Sequence, residues 1–182
     1  MTAIGEQSLR WFSAERVEAD AEPDLTALVR DYSALLYRVA LSVLRNPAEA
    51  EDVVQDVFVR VLQRQQELAR IIDLRPWLVR IAWNLALDRR RRIRPDQMDE
   101  IFAEGLVSPT LPADQALAEA RHIRQVLAAM ERLPAKERQA LLLSAIEELS
   151  TAEIGAVLGS SESSVRSLLF RARAHLRKRM GD

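Results

Sequence analysis

Apolar positions along the chain fall into stripes at three- and four-residue spacing, the period of an α-helix. Leu25, Leu28, Val29, Tyr32, Leu35, Leu36, Val39, Val43 and Leu44 hold one face for about five turns, with Asp24 as the N-cap. Asn46-Pro47-Ala48-Glu49 restarts the chain with Asn as N-cap, Pro at the first helical position and Glu at the capping-box position, predicting a helix from Pro47 to about Arg64. A mixed connector follows from Gln63 to Leu74. Asp73 and Pro76 then mark a third helix, with Trp77, Leu78, Ile81, Ala82 and Leu85 inward and Arg80, Trp83, Asn84, Leu87, Asp88 and Arg91 on the opposite face.

Between Ile93 and Ala113 the stripe stops. Pro95, Gly105, Pro109 and Pro112 interrupt it, and Asp96, Asp99, Glu100 and Glu104 make the stretch acidic, as a linker between two helical domains would be. Helical spacing resumes with Asp114 as cap and Leu117, Ala120, Ile123, Leu127 and Met130 as the stripe, and Leu133-Pro134 ends it. A further helix is predicted from Ala135 to Glu147. Ser150 and Glu153 form a capping box for a short helix carrying Ile154, Val157 and Leu158, which Gly159 terminates. Ser161 caps the last helix, whose inward stripe is Val165, Leu168, Leu169 and Ala172. Short helix, glycine turn and longer basic helix make a helix-turn-helix, in which the second helix enters a DNA major groove.

The organisation predicted is therefore an N-terminal arm over 1–23 with no assigned element, a helical domain over 24–94, a linker over 95–112 and a second, four-helix domain over 113–182. Composition adds the fold class: 5 glycines, 5% aromatics and abundant Ala, Leu, Arg and Glu point to an all-α protein. The absence of cysteine excludes disulfides, thiolate metal sites and cysteine nucleophiles. No apolar run approaches the roughly 20 residues of a membrane span and the N-terminus has no signal-peptide pattern, so a soluble cytoplasmic protein is expected. An enzyme is not: His122 and His175 are far apart and there is no glycine-rich phosphate loop, leaving no catalytic, metal or cofactor site.

Charge changes the picture more. A net charge of −1 conceals a basic end, where Arg166, Arg171, Arg173, Arg177, Lys178 and Arg179 stand against Glu153, Glu162 and Asp182; phosphate attraction of this kind supplies most non-specific DNA affinity. The outward residues of the last helix, Ser163, Ser164, Arg166, Ser167, Phe170, Arg171 and Arg173, form its candidate DNA face. Glu162 either accepts from a cytosine amino group or serves the helix dipole. Arginines are also dense at 75–94, where Arg75, Arg80, Arg89, Arg90, Arg91, Arg92 and Arg94 face a single acid, Asp88. Trp83 among them either stacks on an unpaired base or covers an apolar gap. In the second helix Glu49, Glu51, Asp52 and Asp56 place four acids in two turns without a base; the first three suit the helix dipole, whereas Asp56 and Gln55 lie too deep for it and suggest a surface for a basic partner.

With these elements in place the chain resembles a bacterial RNA polymerase sigma factor of the compact extracytoplasmic-function (ECF) subfamily. Three blocks carry the likeness: Glu51-Asp-Val-Val-Gln-Asp-Val-Phe-Val-Arg-Val61, Pro76-Trp-Leu-Val-Arg-Ile-Ala-Trp-Asn-Leu-Ala-Leu-Asp-Arg-Arg90, and Leu133-Pro-Ala-Lys-Glu-Arg138 with Ser150 to Arg173. The resemblance implies docking on core RNA polymerase through Asp52, Gln55, Asp56, Val59 and Arg60. It implies contact with the minus-ten promoter element through Arg80, Trp83, Asn84, Asp88 and Arg91, and with the minus-thirty-five element through the face of the last helix. Promoter DNA and an anti-sigma factor are the other partners implied, with no catalysis asked of the chain. Two other readings fit parts of the chain: a sigma mimic that binds an anti-sigma protein without engaging DNA, and a conventional helix-turn-helix regulator. Retention of Arg166, Arg171 and Arg173 argues against the first, and the acidic helix and the arginine-rich third helix are left unexplained by the second.

Overall fold

The structure, a computed structural model, describes residues 24–68, 70–92, 113–146 and 149–181, all of it helix, turn and connector. The N-terminal arm and the linker expected at 95–112 lie outside the described residues. Eight helices are present among them: α1 (Leu25–Leu44), α2 (Pro47–Gln63), α3 (Gln65–Leu68), α4 (Leu74–Arg92), α5 (Ala113–Glu131), α6 (Ala135–Ser144), α7 (Thr151–Leu158) and α8 (Glu162–Met180).

The side chain of Asp24 accepts from the Thr26 amide at 2.9 Å and starts α1. Leu28, Leu35, Leu36, Val39, Ala40, Val43 and Leu44 are buried, while Val29 slips off the stripe and is 40% exposed. Arg45 ends the helix in a left-handed conformation, φ 54°. Asn46 then caps α2 by accepting from the Glu49 amide, and Val53, Val57, Phe58 and Val61 turn toward α1 and α4. The predicted connector contains one short helical piece, α3. Helix α4 packs against α1, α2 and also α7. With neighbours on three sides it buries Pro76, Trp77, Leu78, Val79, Ala82, Trp83, Leu85 and Ala86, more of its circumference than one apolar stripe would cover.

In the second half α5 buries Ala120, Leu127 and Ala129 but leaves Leu117 exposed. Its start at Ala113 makes Asp114 part of the helix, and α6 ends at Ser144, three residues short of the predicted end. The capping box forms as read: Ser150 Oγ accepts from the Glu153 amide at 3.2 Å and Glu153 Oε2 accepts from the Ser150 amide at 2.7 Å. Gly159 takes φ 63°, and Ser161 caps α8, whose buried residues are the predicted Val165, Leu168, Leu169 and Ala172.

Gly155, inside α7, is required for a reason the periodicity does not reveal. A Cβ there would lie 2.6 Å from the carbonyl oxygen of Ser160, in the turn that leads into α8. Gly155→Ala is therefore expected to lower stability by about 1–3 kcal/mol, the usual range for overpacking, despite alanine's better helix propensity. Thermal denaturation checks this; an unchanged or raised midpoint would show that the turn yields freely.

The two halves share one apolar core that runs through both. α7 lies on α4 and α6 on α1. Two sets of ion pairs cross the junction. Arg75 Nη1 donates to Glu153 Oε1 at 2.6 Å, and Arg45 Nη2 and Arg90 Nη2 both donate to Glu131 Oε1. Among the described residues, no helix is long and apolar enough to cross a membrane.

Candidate nucleic-acid interface

The face of α8 is the most openly presented of the three surfaces. Ser163, Ser164, Arg166, Ser167, Phe170, Arg171 and Arg173 are all exposed, Phe170 at 70%. The stripe of buried residues explains why: with Val165, Leu168, Leu169 and Ala172 fixed inward, the positions between them can only point away from the core. Local bonds pre-set several of these side chains. Glu162 Oε1 accepts from Thr151 Oγ1 at 2.8 Å and from Arg166 Nη1, joining the start of α7 to the start of α8. The Thr151 hydrogen bond, followed by the charge of Arg166, holds the Glu162 carboxyl below its ordinary value. Glu162 thus has intramolecular work besides its place near the helix dipole. Ser167 Oγ donates to the Ser163 carbonyl at 3.0 Å, and the Ser161 and Ser164 hydroxyls are 2.8 Å apart.

Sequence reasoning missed the acid that anchors this helix from behind. Glu137, in the first turn of α6, is 5% exposed. Its Oε1 accepts from Arg171 Nε at 3.3 Å, and its Oε2 lies 2.7 Å from His175 Nδ1. Arg171 is thereby steered along α8 while its side chain remains 54% exposed. The available signal was an acid one turn after Leu133-Pro134, which by itself reads as an ordinary dipole partner.

On α4 the predicted set is divided. Asp88 and Arg91 pair with each other at 2.7 Å. Arg80 and Asn84 are partly exposed, and Arg80 Nη1 is buried with no hydrogen-bond partner among the described residues. Trp83 corrects the expectation of an outward ring: it is 2% exposed, so its apolar-gap reading is the one this conformation bears out. Helix α4 has neighbours on three sides, so a face that a single apolar stripe would leave outward can be buried.

On α2, Asp52, Gln55, Val59 and Arg60 are exposed and Asp56 is partly so. Val59 and Leu62 contribute apolar surface at 49% and 46% exposure. The acids have a partner within the chain. Arg89 reaches across from α4, its Nη1 donating to Glu49 Oε2 at 2.9 Å and Asp52 Oδ2 at 3.2 Å and its Nη2 to Asp56 Oδ2 at 2.8 Å. Burial would lower the pKa of this guanidinium, but the bonds to Asp56, Glu49 and Asp52 outweigh it and hold the group more firmly protonated than usual. The depth of Asp56 in the helix, read as a sign of an external partner, is accounted for by Arg89.

Comparison with known proteins places these surfaces in a family. Residues 28–95 match Sigma-70 region 2, and residues 123–176 match Sigma-70, region 4. The ECF RNA polymerase sigma factor SigW of Bacillus subtilis is 30% identical over 179 residues, covering 91% of each chain. The chain belongs to the ECF RNA polymerase sigma factors. SigE of Mycolicibacterium smegmatis, another ECF sigma factor, is 36% identical over 160 residues; the chain spans 62% of that relative's length and 36% of the length of the Xanthomonas campestris protein RfaY. Among solved structures, CnrH in complex with the cytosolic domain of CnrY has the same fold, with a TM-score of 0.64 at 24% identity over 97% of this chain and 94% of that one. So does the sigma factor RpoE bound to the anti-sigma factor NepR from Bartonella quintana, with a TM-score of 0.58 at 20% identity over 87% and 97%. In this ECF sigma factor α1 to α4 fall within the region 2 match apart from the first residues of α1, and α6, α7 and most of α8 fall within the region 4 match.

Proposed function

We propose that this sigma factor binds core RNA polymerase through the α2 face and guides it to promoters through α4 and α8, contributing recognition and strand separation while the polymerase performs the chemistry. The observation that carries the reading is the α8 face: seven side chains, three of them arginines, stand exposed on the second helix of a helix-turn-helix in a chain of sigma-factor sequence. The hydroxyls and guanidinium groups suit phosphates and base edges, and exposed Phe170 suits apolar contact with a thymine methyl. On α4 the minus-ten contacts are assigned to Arg80, Asn84, Asp88 and Arg91, with Trp83 in a supporting position. Docking on the polymerase is assigned to Asp52, Gln55, Asp56, Val59 and Arg60; of these, Asp52 and Asp56 are bonded to Arg89 and Gln55, Val59 and Arg60 are not. The linker is assigned to 95–112, between the region 2 and region 4 domains.

Neither catalysis nor a cofactor enters this role, and the cytoplasm, where polymerase works, is its place. Because CnrH and RpoE are each held by a partner in their solved complexes, an anti-sigma factor is proposed for this chain as well. Run-off transcription with purified core polymerase on fragmented genomic DNA of the host is the test. Discrete transcripts that require the added protein are expected; none on any template, with no inhibitor present, would overturn the reading.

A further inference from the structure

Glu137 is the one buried acid among the described residues, and it spends one carboxylate oxygen on each of two α8 side chains. Oε1 accepts from Arg171 Nε, and Oε2 lies 2.7 Å from His175 Nδ1. Four positions separate Arg171 from His175, so the two share a face of α8, about 6 Å apart along its axis. Both keep their far ends in water, at 54% and 47% exposure, and neither makes another hydrogen bond or ion pair among the described residues. An ionised carboxylate only accepts, so the ring nitrogen against Glu137 is the one that carries hydrogen, and the neutral ring turns a bare Nε2 outward. A bare nitrogen repels a phosphate oxygen. Nε2 becomes a donor only when the ring takes a second proton. Other acids on the helices packed against α8 are engaged elsewhere: Glu131 of α5 by Arg45, Arg90 and Arg138, and Glu153 of α7 by Arg75. Glu119, Arg121, His122 and Arg124 of α5 make no bond to α8. The cations nearest the pair along the chain are Lys136 on α6 and Arg171, Lys178 and Arg179 on α8.

We propose that His175 is a further phosphate ligand of the α8 face and that Glu137 makes its use conditional on a proton, so that duplex DNA binds more tightly as the solution becomes more acidic. The proposal rests on the reading of α8 as the duplex-binding helix. In the doubly protonated ring Nδ1 donates to Glu137 and Nε2 donates to a backbone phosphate oxygen, a charge-assisted bond aimed from behind by the buried acid. Arg171 offers its Nη groups one turn away. The phosphate gives the ring a second anionic partner, so DNA binding and proton uptake favour each other, with up to one proton drawn from solvent per bound duplex and returned on release. Phosphate contacts carry no sequence information, so the effect holds for any duplex.

Fluorescence anisotropy of the full chain with random-sequence duplex DNA, at constant ionic strength, reads the affinity, and nitrogen-15 NMR of the imidazole reads which ring nitrogens carry hydrogen. Between about pH 8 and about pH 5.5, the range in which imidazole ordinarily changes charge, the parent should tighten about tenfold more than His175→Gln. His122→Gln, which removes the other imidazole from an exposed position on α5, should follow the parent. His175→Lys, charged throughout this range, should bind tightly at both ends of it. The His175 ring should be protonated on both nitrogens in the complex. Glu137→Gln should flatten the pH profile, since its amide can donate to Nδ1 and leave a neutral ring with its hydrogen on Nε2. A His175→Gln profile as steep as the parent's, or a ring singly protonated in the complex at every pH, overturns the phosphate site. A Glu137→Gln profile as steep as the parent's overturns the positioning role of Glu137; the His175 variants decide the site even if that variant folds poorly. If Arg166→Ala leaves duplex affinity unchanged while His175→Gln removes the pH dependence, the reading of α8 as the duplex face fails and the site at His175 stands. Absence of duplex binding in every form overturns both.

Discussion

Val59→Glu is expected to abolish co-purification with core RNA polymerase while leaving helicity and thermal midpoint essentially unchanged. Val59 is 49% exposed in the middle of α2, on the surface assigned to the polymerase. A carboxylate there meets water in the free protein, and exposed substitutions of this kind stay within about 0.5 kcal/mol of the parent stability. At the docked surface the same carboxylate would be desolvated without a partner, which costs about 3 kcal/mol or more and corresponds to over a hundredfold in affinity. Val59 is a cleaner probe than Asp56, because reversing the charge of Asp56 would also set it against Arg89. A pull-down with circular dichroism on the same preparation decides the matter, and normal recovery of polymerase with the variant would remove α2 from the docking surface.

Arg89→Ala should have the largest effect on stability of any single charged residue in the first half. One guanidinium, 25% exposed, links α4 to three carboxylates spread over two turns of α2. Removing it loses the cross-helix bonds and leaves three like charges on one face. The loss falls between that of an exposed pair and that of a fully buried one, at roughly 2 kcal/mol. For a chain of this length that corresponds to roughly 4–8 °C in thermal midpoint. Arg89→Lys should recover only part of it, since a single ammonium group cannot satisfy three separated acceptors. Raising salt should shrink the deficit of the alanine variant by screening the repulsion among Glu49, Asp52 and Asp56. A midpoint within 1 °C of the parent, a drop well below that estimate, would mean that the acids are held apart by the helix alone.

These cases show where sequence reading works and where it stops. The stripe of α8 and the caps at Asp24, Asn46, Ser150 and Ser161 were legible because each depends on residues within four positions of one another. The exposed members of the α8 face followed from the stripe by exclusion. Helix α4 buries more of its surface than its own stripe predicts, Trp83 included, and one of its three neighbours, α7, comes from far along the chain; the pair Arg75 and Glu153 is separated by 78 positions. The internal partner of Asp56 was silent for a similar reason, since Arg89 lies 33 positions on, while the carboxylate itself is 47% exposed. Glu137 and Gly155 were silent because one looks like any acid at a helix start and the other like a tolerated helical glycine. Their necessity appears only when α8 and the turn before it are in place.

Glu153 divides its work between two oxygens: Oε1 takes Arg75, and Oε2 takes the amide and hydroxyl of Ser150. Letting go of Arg75 therefore leaves the first turn of α7 fully tied. The contact that joins the halves and the tie that starts α7 thus sit on separate atoms of one carboxylate, so the start of the helix-turn-helix does not depend on the ion pair across the junction.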